Sequence, residues 1–202
     1  MKIDREQLTK FQSLIALALM LLVMSLLSES FLTAENGLNI LRQISVNLCL
    51  SIGMTLIILT AGIDLSVGAI LALSGAVAAG LLKNGLPIEA MGVKLQFTVF
   101  GSIVAGLLTG AAAGLFNGIA VTRFKLPPFV ATLGMFSIAR GLTMLWTGGF
   151  PVTGLGPTFG AIGTGVFLKV PVPVWITGVL VGIFVLLTRM TRFGRHIYAV
   201  GG

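Results

Sequence analysis

The 202 residues are 56% hydrophobic and only 9% charged, with a mean hydropathy of +1.06. Soluble domains carry about 25% charged residues, so a soluble enzyme is excluded, and the high hydrophobicity excludes a disordered chain. The net charge of +7 does not point to nucleic acid, because the thirteen Lys and Arg residues are scattered between apolar runs without a basic stripe or interleaved aromatics. What remains is an all-α, polytopic transmembrane helix bundle, in which 27 glycines favour close helix packing in lipid.

A membrane-spanning helix needs about 20 mostly apolar residues, and six segments qualify: 11–28, 44–61, 66–82, 97–121, 128–146 and 174–187. The first follows Lys2, Arg5 and Lys10. It is longer than a signal-peptide core, and Leu26-Leu27-Ser28-Glu29 is no small-residue cleavage site, so it reads as a retained span. Cys49, in the second span, has no intrachain disulfide partner and reads as a small apolar side chain.

A tight hairpin at 62–65 joins spans two and three, and Gly62, Asp64 and Ser66 read as its turn and cap residues. A carboxylate at membrane depth would be costly and therefore functional. Asp64, however, precedes a helix, where its oxygen can take an orphan N–H and the helix dipole favours its charge. The cap is the expected role, with contact to an ion or solute as the alternative.

Span three carries Gly68, Ala72, Ala76 and Gly80, and span four Gly106, Gly110, Gly114 and Gly118, each set four residues apart. Both read as small-residue packing faces, since lipid gives helices no hydrophobic drive to associate. A sliding surface is the functional version. Asn47 and Asn117 suit interhelical hydrogen bonds. Pro127-Pro128 closes a short turn at 122–127 and opens span five. Arg140 lies about two turns, roughly 10 Å, from the far end of that span. It either snorkels outward or pairs inside the bundle with a carbonyl or carboxylate.

Segment 148–173 holds four of the seven prolines and many glycines, and reads as either a flexible loop or a structured cap dipping towards the bilayer. With the N-terminus inside, inner segments carry eight Lys and Arg residues (Lys2, Arg5, Lys10, Arg123, Lys125, Arg189, Arg192, Arg195) and outer segments four (Arg42, Lys83, Lys94, Lys169). That bias places the N-terminus in the cytoplasm. Trp146 and Trp175 then sit at the outer interface.

The sequence holds no phosphate-binding loop, no His/Cys cluster with metal spacing and no Ser/His/Asp set. No catalytic residue, metal ligand or cofactor site is therefore expected, and the lone His196 is no exception. A proton-coupled carrier needs more carboxylates or histidines in its spans, so energy is expected from a partner.

Leu59-Thr60-Ala61-Gly62-Ile63-Asp64-Leu65-Ser66-Val67-Gly68, followed by Ala72-Leu73-Ser74-Gly75-Ala76-Val77-Ala78-Ala79, resembles the signature of the ribose-type monosaccharide ABC transporter permeases. So does Thr191-Arg192-Phe193-Gly194-Arg195-His196-Ile197-Tyr198-Ala199-Val200-Gly201-Gly202, and so do Asn117-Gly118, Pro128-Phe129-Val130-Ala131-Thr132-Leu133-Gly134 and Arg140-Gly141. Ala61 stands where the family more often has glycine. Family members have about ten spans of roughly 20 residues, so the resemblance implies the N-terminal portion of a longer permease.

It also implies a multi-pass subunit of the bacterial inner membrane, itself not an enzyme, that works with a second permease copy. A cytoplasmic tandem ATPase would hold ATP and Mg, and a periplasmic sugar-binding protein would deliver solute and set most of the specificity. Asn117 and Arg140 would line the substrate pathway. Arg192, Gly194 and Arg195 would begin the segment that meets the ATPase, with anchoring to anionic lipid as the alternative for the arginines. A self-contained secondary carrier or channel, or a non-transporting membrane fragment, are the other classes.

Overall fold

In the computed structural model, residues 11–88 and 92–202 are described, so Lys2, Arg5 and Lys10 lie outside the described residues. Contacts divide the chain into two units, residues 1–44 and 45–202.

In the first unit, α1 (Gln12–Leu27) has 16 residues. It is about 24 Å long, somewhat less than the roughly 30 Å of a hydrocarbon core. Helix α2 (Ala34–Leu59) begins in this unit, ten residues before the start expected at Ile44. Polar residues hid that start, yet they support it. Thr33 Oγ1 accepts the Asn36 N–H at 3.2 Å, Asn36 Nδ2 donates to the Phe31 carbonyl at 2.8 Å, and Arg42 Nη1 donates to Asn39 Oδ1 at 3.2 Å. Glu35 in the first turn suits the positive end of the helix dipole.

The second unit holds the rest of α2, then α3 (Val67–Asn84), β1 (Leu86–Ile88), β2 (Val93–Leu95), α4 (Val99–Thr122), α5 (Pro128–Thr147), α6 (Pro157–Thr164), β3 (Val166–Phe167), β4 (Val170–Pro171), α7 (Val172–Met190) and α8 (Arg192–Gly201). The strands form two antiparallel hairpins, Leu86 pairing Leu95 in one and Val166 pairing Pro171 in the other. Among the described residues, α2, α3, α4, α5 and α7 are long and apolar enough to cross a membrane. The fold is the all-α polytopic bundle expected, with these small hairpins added at helix connections. Segment 148–173 is ordered rather than an open loop. It contains α6 and the second hairpin, whose Phe167 carbonyl accepts the Trp175 indole N–H at 3.2 Å while the two rings meet edge-on.

The core lies where α3 meets α4 and α5. Ala69, Leu73, Met135 and Ala139 are buried together, with Ile70, Val77, Ala113 and Phe136 against them. The glycine stripe of α4 is only half a packing face. A Cβ on Gly106 would lie 2.8 Å from the Ser74 carbonyl oxygen, and one on Gly110 would lie 2.9 Å from Ser74 Oγ, whereas Gly114 and Gly118 have nothing within 4 Å. The reason is helical geometry. Residues four apart advance about 40° per step on a 3.6-residue turn, so the stripe rotates off the contact. The face that stays on it includes Ser102, Gly106, Asn117 and Ala120, all buried. On α3, Gly80 has a different neighbour: a Cβ there would collide with the Trp146 indole, whose Nε1 donates to the Ala76 carbonyl at 3.0 Å. The Trp146 N–H is thus spent on a neighbouring helix.

Gly106→Ala should therefore lower stability by about 1–3 kcal/mol, the range for overpacking a tight contact. Gly118→Ala should leave it unchanged or raise it by up to about 1 kcal/mol through helix propensity. Thermal unfolding of both variants in detergent measures this, and equal shifts would contradict the packing assigned to α4.

Candidate functional site

The densest polar region lies at the turn between α2 and α3. Helix α2 ends in a Schellman motif: the Gly62 N–H bonds the Ile57 carbonyl at 3.0 Å and the Ala61 N–H bonds the Ile58 carbonyl at 2.9 Å. The residue in left-handed conformation is Ala61, with φ +57°. A glycine would suit this position better, since an L side chain pays roughly 1–2 kcal/mol there. Gly62 has a different constraint. A Cβ on it would lie 3.1 Å from Ile57 Cγ2 and 3.3 Å from the Ile57 oxygen.

The N-cap of α3 is Ser66, and its own hydroxyl makes no capping bond. Instead Asp64 reaches forward: its Oδ1 accepts the Ser66 N–H at 2.7 Å and the Ser66 hydroxyl at 2.5 Å. The fully buried Ser66 hydroxyl then accepts Asn117 Nδ2 from α4 at 2.9 Å. From the other side, Thr132 of α5 accepts the Leu65 N–H at 3.2 Å and lies within donating reach of the Ile63, Pro128 and Phe129 carbonyls. Asn117, buried like Ser66, leaves its Oδ1 without a hydrogen bond among the described residues. These groups stitch one turn to two further helices.

Arg140 is elsewhere. It lies on an exposed face of α5 and lines a cavity of about 340 Å³ with Phe136, Thr143 and Met144 and with Gly68, Ala69 and Ala72 of α3. Asn117, expected with Arg140 on a substrate pathway, does not line that cavity. Neither a carbonyl nor a carboxylate pairs with Arg140 among the described residues.

After α7, Thr191 Oγ1 accepts the Gly194 N–H at 3.4 Å and caps α8. Gly194 and Ile197 are buried, and Gly201 follows on the same helical face. A Cβ on Gly194 would collide with the Thr188 backbone, and one on Gly201 with the Leu59 carbonyl. Arg192 and Arg195 face outward, and His196 Nδ1 lies 2.7 Å from the Arg192 carbonyl. Cys49, read as merely apolar, has its Sγ 3.1 Å from the Thr177 hydroxyl, which donates to the Ser45 carbonyl at 3.1 Å. No group of three or more His, Cys, Asp or Glu residues that could hold a metal occurs among the described residues.

Sequence reasoning on residues alone missed Thr132, the left-handed Ala61 and the docking role of Gly201. Replacing Ala61 by glycine should relieve the left-handed strain and stabilise the protein by about 1 kcal/mol. A thermal shift in detergent reads this directly. No gain, or a loss, would mean the turn is not held in this conformation.

Comparison with known proteins gives this geometry a context. The chain is 44% identical over 195 residues to the ribose import permease protein of Escherichia coli strain K12, covering 95% of this chain and 57% of that protein. It is 43% identical over 197 residues to the ribose import permease protein of Bacillus subtilis strain 168, covering 96% and 57%. To the galactofuranose transporter permease protein of Escherichia coli strain K12 it is 39% identical over 201 residues, covering 96% and 56%. The chain thus spans somewhat over half the length of these relatives. No solved structure matches it. The resemblance to ribose-type sugar permeases, carried by segments 59–68 and 191–202, is borne out. Residues 36–202 match the family described as "Branched-chain amino acid transport system / permease component", and the chain belongs to that family.

Proposed function

We propose that this chain acts as the membrane-spanning permease subunit of a binding-protein-dependent importer, moving a monosaccharide of the ribose type across the inner membrane. A separate cytoplasmic tandem ATPase would bind ATP and Mg and do the hydrolysis. A second permease copy would complete the pore, and a periplasmic sugar-binding protein would deliver the solute. The observation that carries this reading is the similarity to two ribose import permeases along nearly the whole chain. The geometry adds α8, a short helix seated by Gly194, Ile197 and Gly201 so that Arg192 and Arg195 project outward. An element placed on backbone contacts, with charge on its free face, suits docking to a soluble partner. The charge inventory also fits an external energy source: α4 carries no charged residue and α5 only Arg140.

The orientation that goes with this reading puts Arg123, Lys125, Arg192 and Arg195 in the cytoplasm. Reporter fusions at Lys94 and Lys125 should read outside and inside respectively, and the reverse pattern would invert every loop assignment.

If α8 docks to the ATPase, the chain should co-purify from membranes with an ATPase subunit, and reversing both Arg192 and Arg195 to Glu should abolish that capture while membrane insertion persists. Capture unchanged by the double reversal would make the two arginines lipid anchors, and no capture by the unaltered chain would remove the importer reading.

A further inference from the structure

The β3–β4 hairpin turns through Leu168 and Lys169, and both are in the left-handed region, with φ +51° and +64°. A two-residue hairpin turn with both residues at positive φ favours Asn-Gly, because a side chain in that region is strained. Leu168 is also 71% exposed, and Val166 and Phe167 before it are 56% and 60% exposed. The chain thus holds an apolar residue at an open apex, in a conformation that a polar turn would adopt with less strain. Backbone strain kept at a surface position points to a use for the side chain held there.

The base of the hairpin is fixed to α7. The Val172 N–H bonds the Gly165 carbonyl at 2.9 Å, Pro171 is fully buried, and Trp175 on the first turn of α7 donates to the Phe167 carbonyl. The height of the tip therefore follows from that helix. Helix α7 has 19 residues, about 28 Å at 1.5 Å per residue, close to the roughly 30 Å of a hydrocarbon core. With α7 as a span, its Val172 end lies at the hydrocarbon boundary and the hairpin lies at headgroup level. Trp175 sets the side on which the hairpin stands. It is exposed and heads a stripe of α7 with Val179, Ile183 and Leu186, all exposed and spaced by three or four residues. The apolar hairpin residues continue that stripe into the headgroup region, and the exposed Lys169 adds a positive charge at the tip.

We propose that the tip of the β3–β4 hairpin is an interfacial lipid anchor, in which Leu168 enters the boundary between headgroups and acyl chains, Val166 and Phe167 line its entry, and Lys169 contacts lipid phosphates. This goes beyond the importer reading and does not depend on it. A two-stranded tip suits that depth and no greater one. Its two open edges carry backbone groups that hydrocarbon would leave unsatisfied, whereas headgroups and their water can bond them. The rings of Phe167 and Trp175 belong at the same level, where amphipathic aromatics concentrate. The Trp175 indole N–H is already bonded to the hairpin, so this ring offers lipid its apolar body. Lys169 can lay its stem along the apolar surface and place its ammonium among the phosphates. A soluble protein suits the tip less well, because the tip stands level with the headgroups above an apolar stripe and presents a single charge.

The test places a nitroxide on Leu168→Cys, with Cys49→Ala removing the native thiol, in vesicles of phosphatidylcholine and phosphatidylglycerol. Collisions with oxygen, which enters the bilayer, are compared with collisions with a nickel chelate, which stays in water. Oxygen should be the more effective by about twofold or more, since a polar chelate is excluded from apolar surroundings. Val166→Cys then serves as reporter with and without the pair Leu168→Asn and Lys169→Gly, which keeps the turn and removes its apolar apex. The pair should reverse the order, making the chelate the more effective, while the melting temperature in detergent stays level or rises as the strain is relieved. Lys169→Glu should lower the oxygen excess at Val166→Cys in these vesicles and leave it unchanged in phosphatidylcholine alone. A chelate excess at Leu168→Cys would put the tip in water, and a label shielded from both reagents would put it against protein; either overturns the anchor. A Val166→Cys reporter unmoved by the double substitution overturns it too, and an equal effect of Lys169→Glu in both vesicles overturns the phosphate contact.

Discussion

The Ser66 hydroxyl is the point on which the described bundle depends. It donates to Asp64 and accepts from Asn117, so one buried oxygen joins the α2–α3 turn to α4. Thr132 ties the same turn to α5. Where lipid surrounds the helices, hydrophobic burial cannot hold a bundle together, and packing and interhelical hydrogen bonds must do so. The apolar core of Ala69, Leu73, Met135 and Ala139 is correspondingly small. Removing one partner of a buried hydrogen bond costs about 1–3 kcal/mol, more than the bond itself contributes. The turn is therefore specified as much by the penalty for leaving it as by the bonds it makes. Asp64 belongs to this arrangement: its carboxylate organises Ser66, and Ser66 presents its oxygen to Asn117.

Small residues serve two purposes in neighbouring helices. On α4, Gly106 and Gly110 let the backbone approach Ser74. On α3, a Cβ on Gly68 or Gly75 would meet nothing within 4 Å; Gly68 lines the cavity beside Arg140, and Gly75 lines the next one along α5. Composition cannot separate the uses, because both call for the absence of a side chain. The distinction depends on which residue the neighbouring helix presents. Ser74 faces α4 with a short side chain and a carbonyl, while Arg140 and Thr143 stand off α3 across a cavity.

The long apolar helices were legible because hydropathy alone dictates them, and their ends were located to within a few residues from α3 onward. The start of α2 was not. Asn36, Asn39 and Arg42 interrupt the apolar run, and only their side-chain bonds along the helix and the Thr33 cap reveal that they continue it. A four-residue repeat looked like one face on α4, but the drift of about 40° per step turned half of it away. Within the candidate site, Asp64 and Ser66 were legible as local helix-start chemistry. Their tie to Asn117 spans 51 positions, and that of Leu65 to Thr132 spans 67, which no local pattern encodes. The strain at Ala61 was not legible either, because only its left-handed φ shows that a residue with a side chain occupies a position suited to glycine.

The contact at the C-terminal end of α8 connects it to this same turn. Gly194 lies on the Thr188 backbone and Gly201 on the backbone of Leu59 and Thr60, next to the strained Ala61. Both contacts involve backbone only, with no flexible side chain between the surfaces. Packed elements with such contacts shift together or separate, because close-packed interiors deform little. From Thr60 the chain runs through Ala61 and Gly62 to Asp64 and Ser66, whose bonds enter α4, while Thr132 carries Leu65 to α5. Arg140 lies eight residues along α5 from Thr132, about 12 Å and just over two turns. A surface helix, a hydrogen-bonded turn and the wall of the cavity beside Arg140 are thus linked by stiff backbone and short polar contacts. Asn117 belongs to the bonds that hold this turn, and Arg140 lines a cavity between α3 and α5.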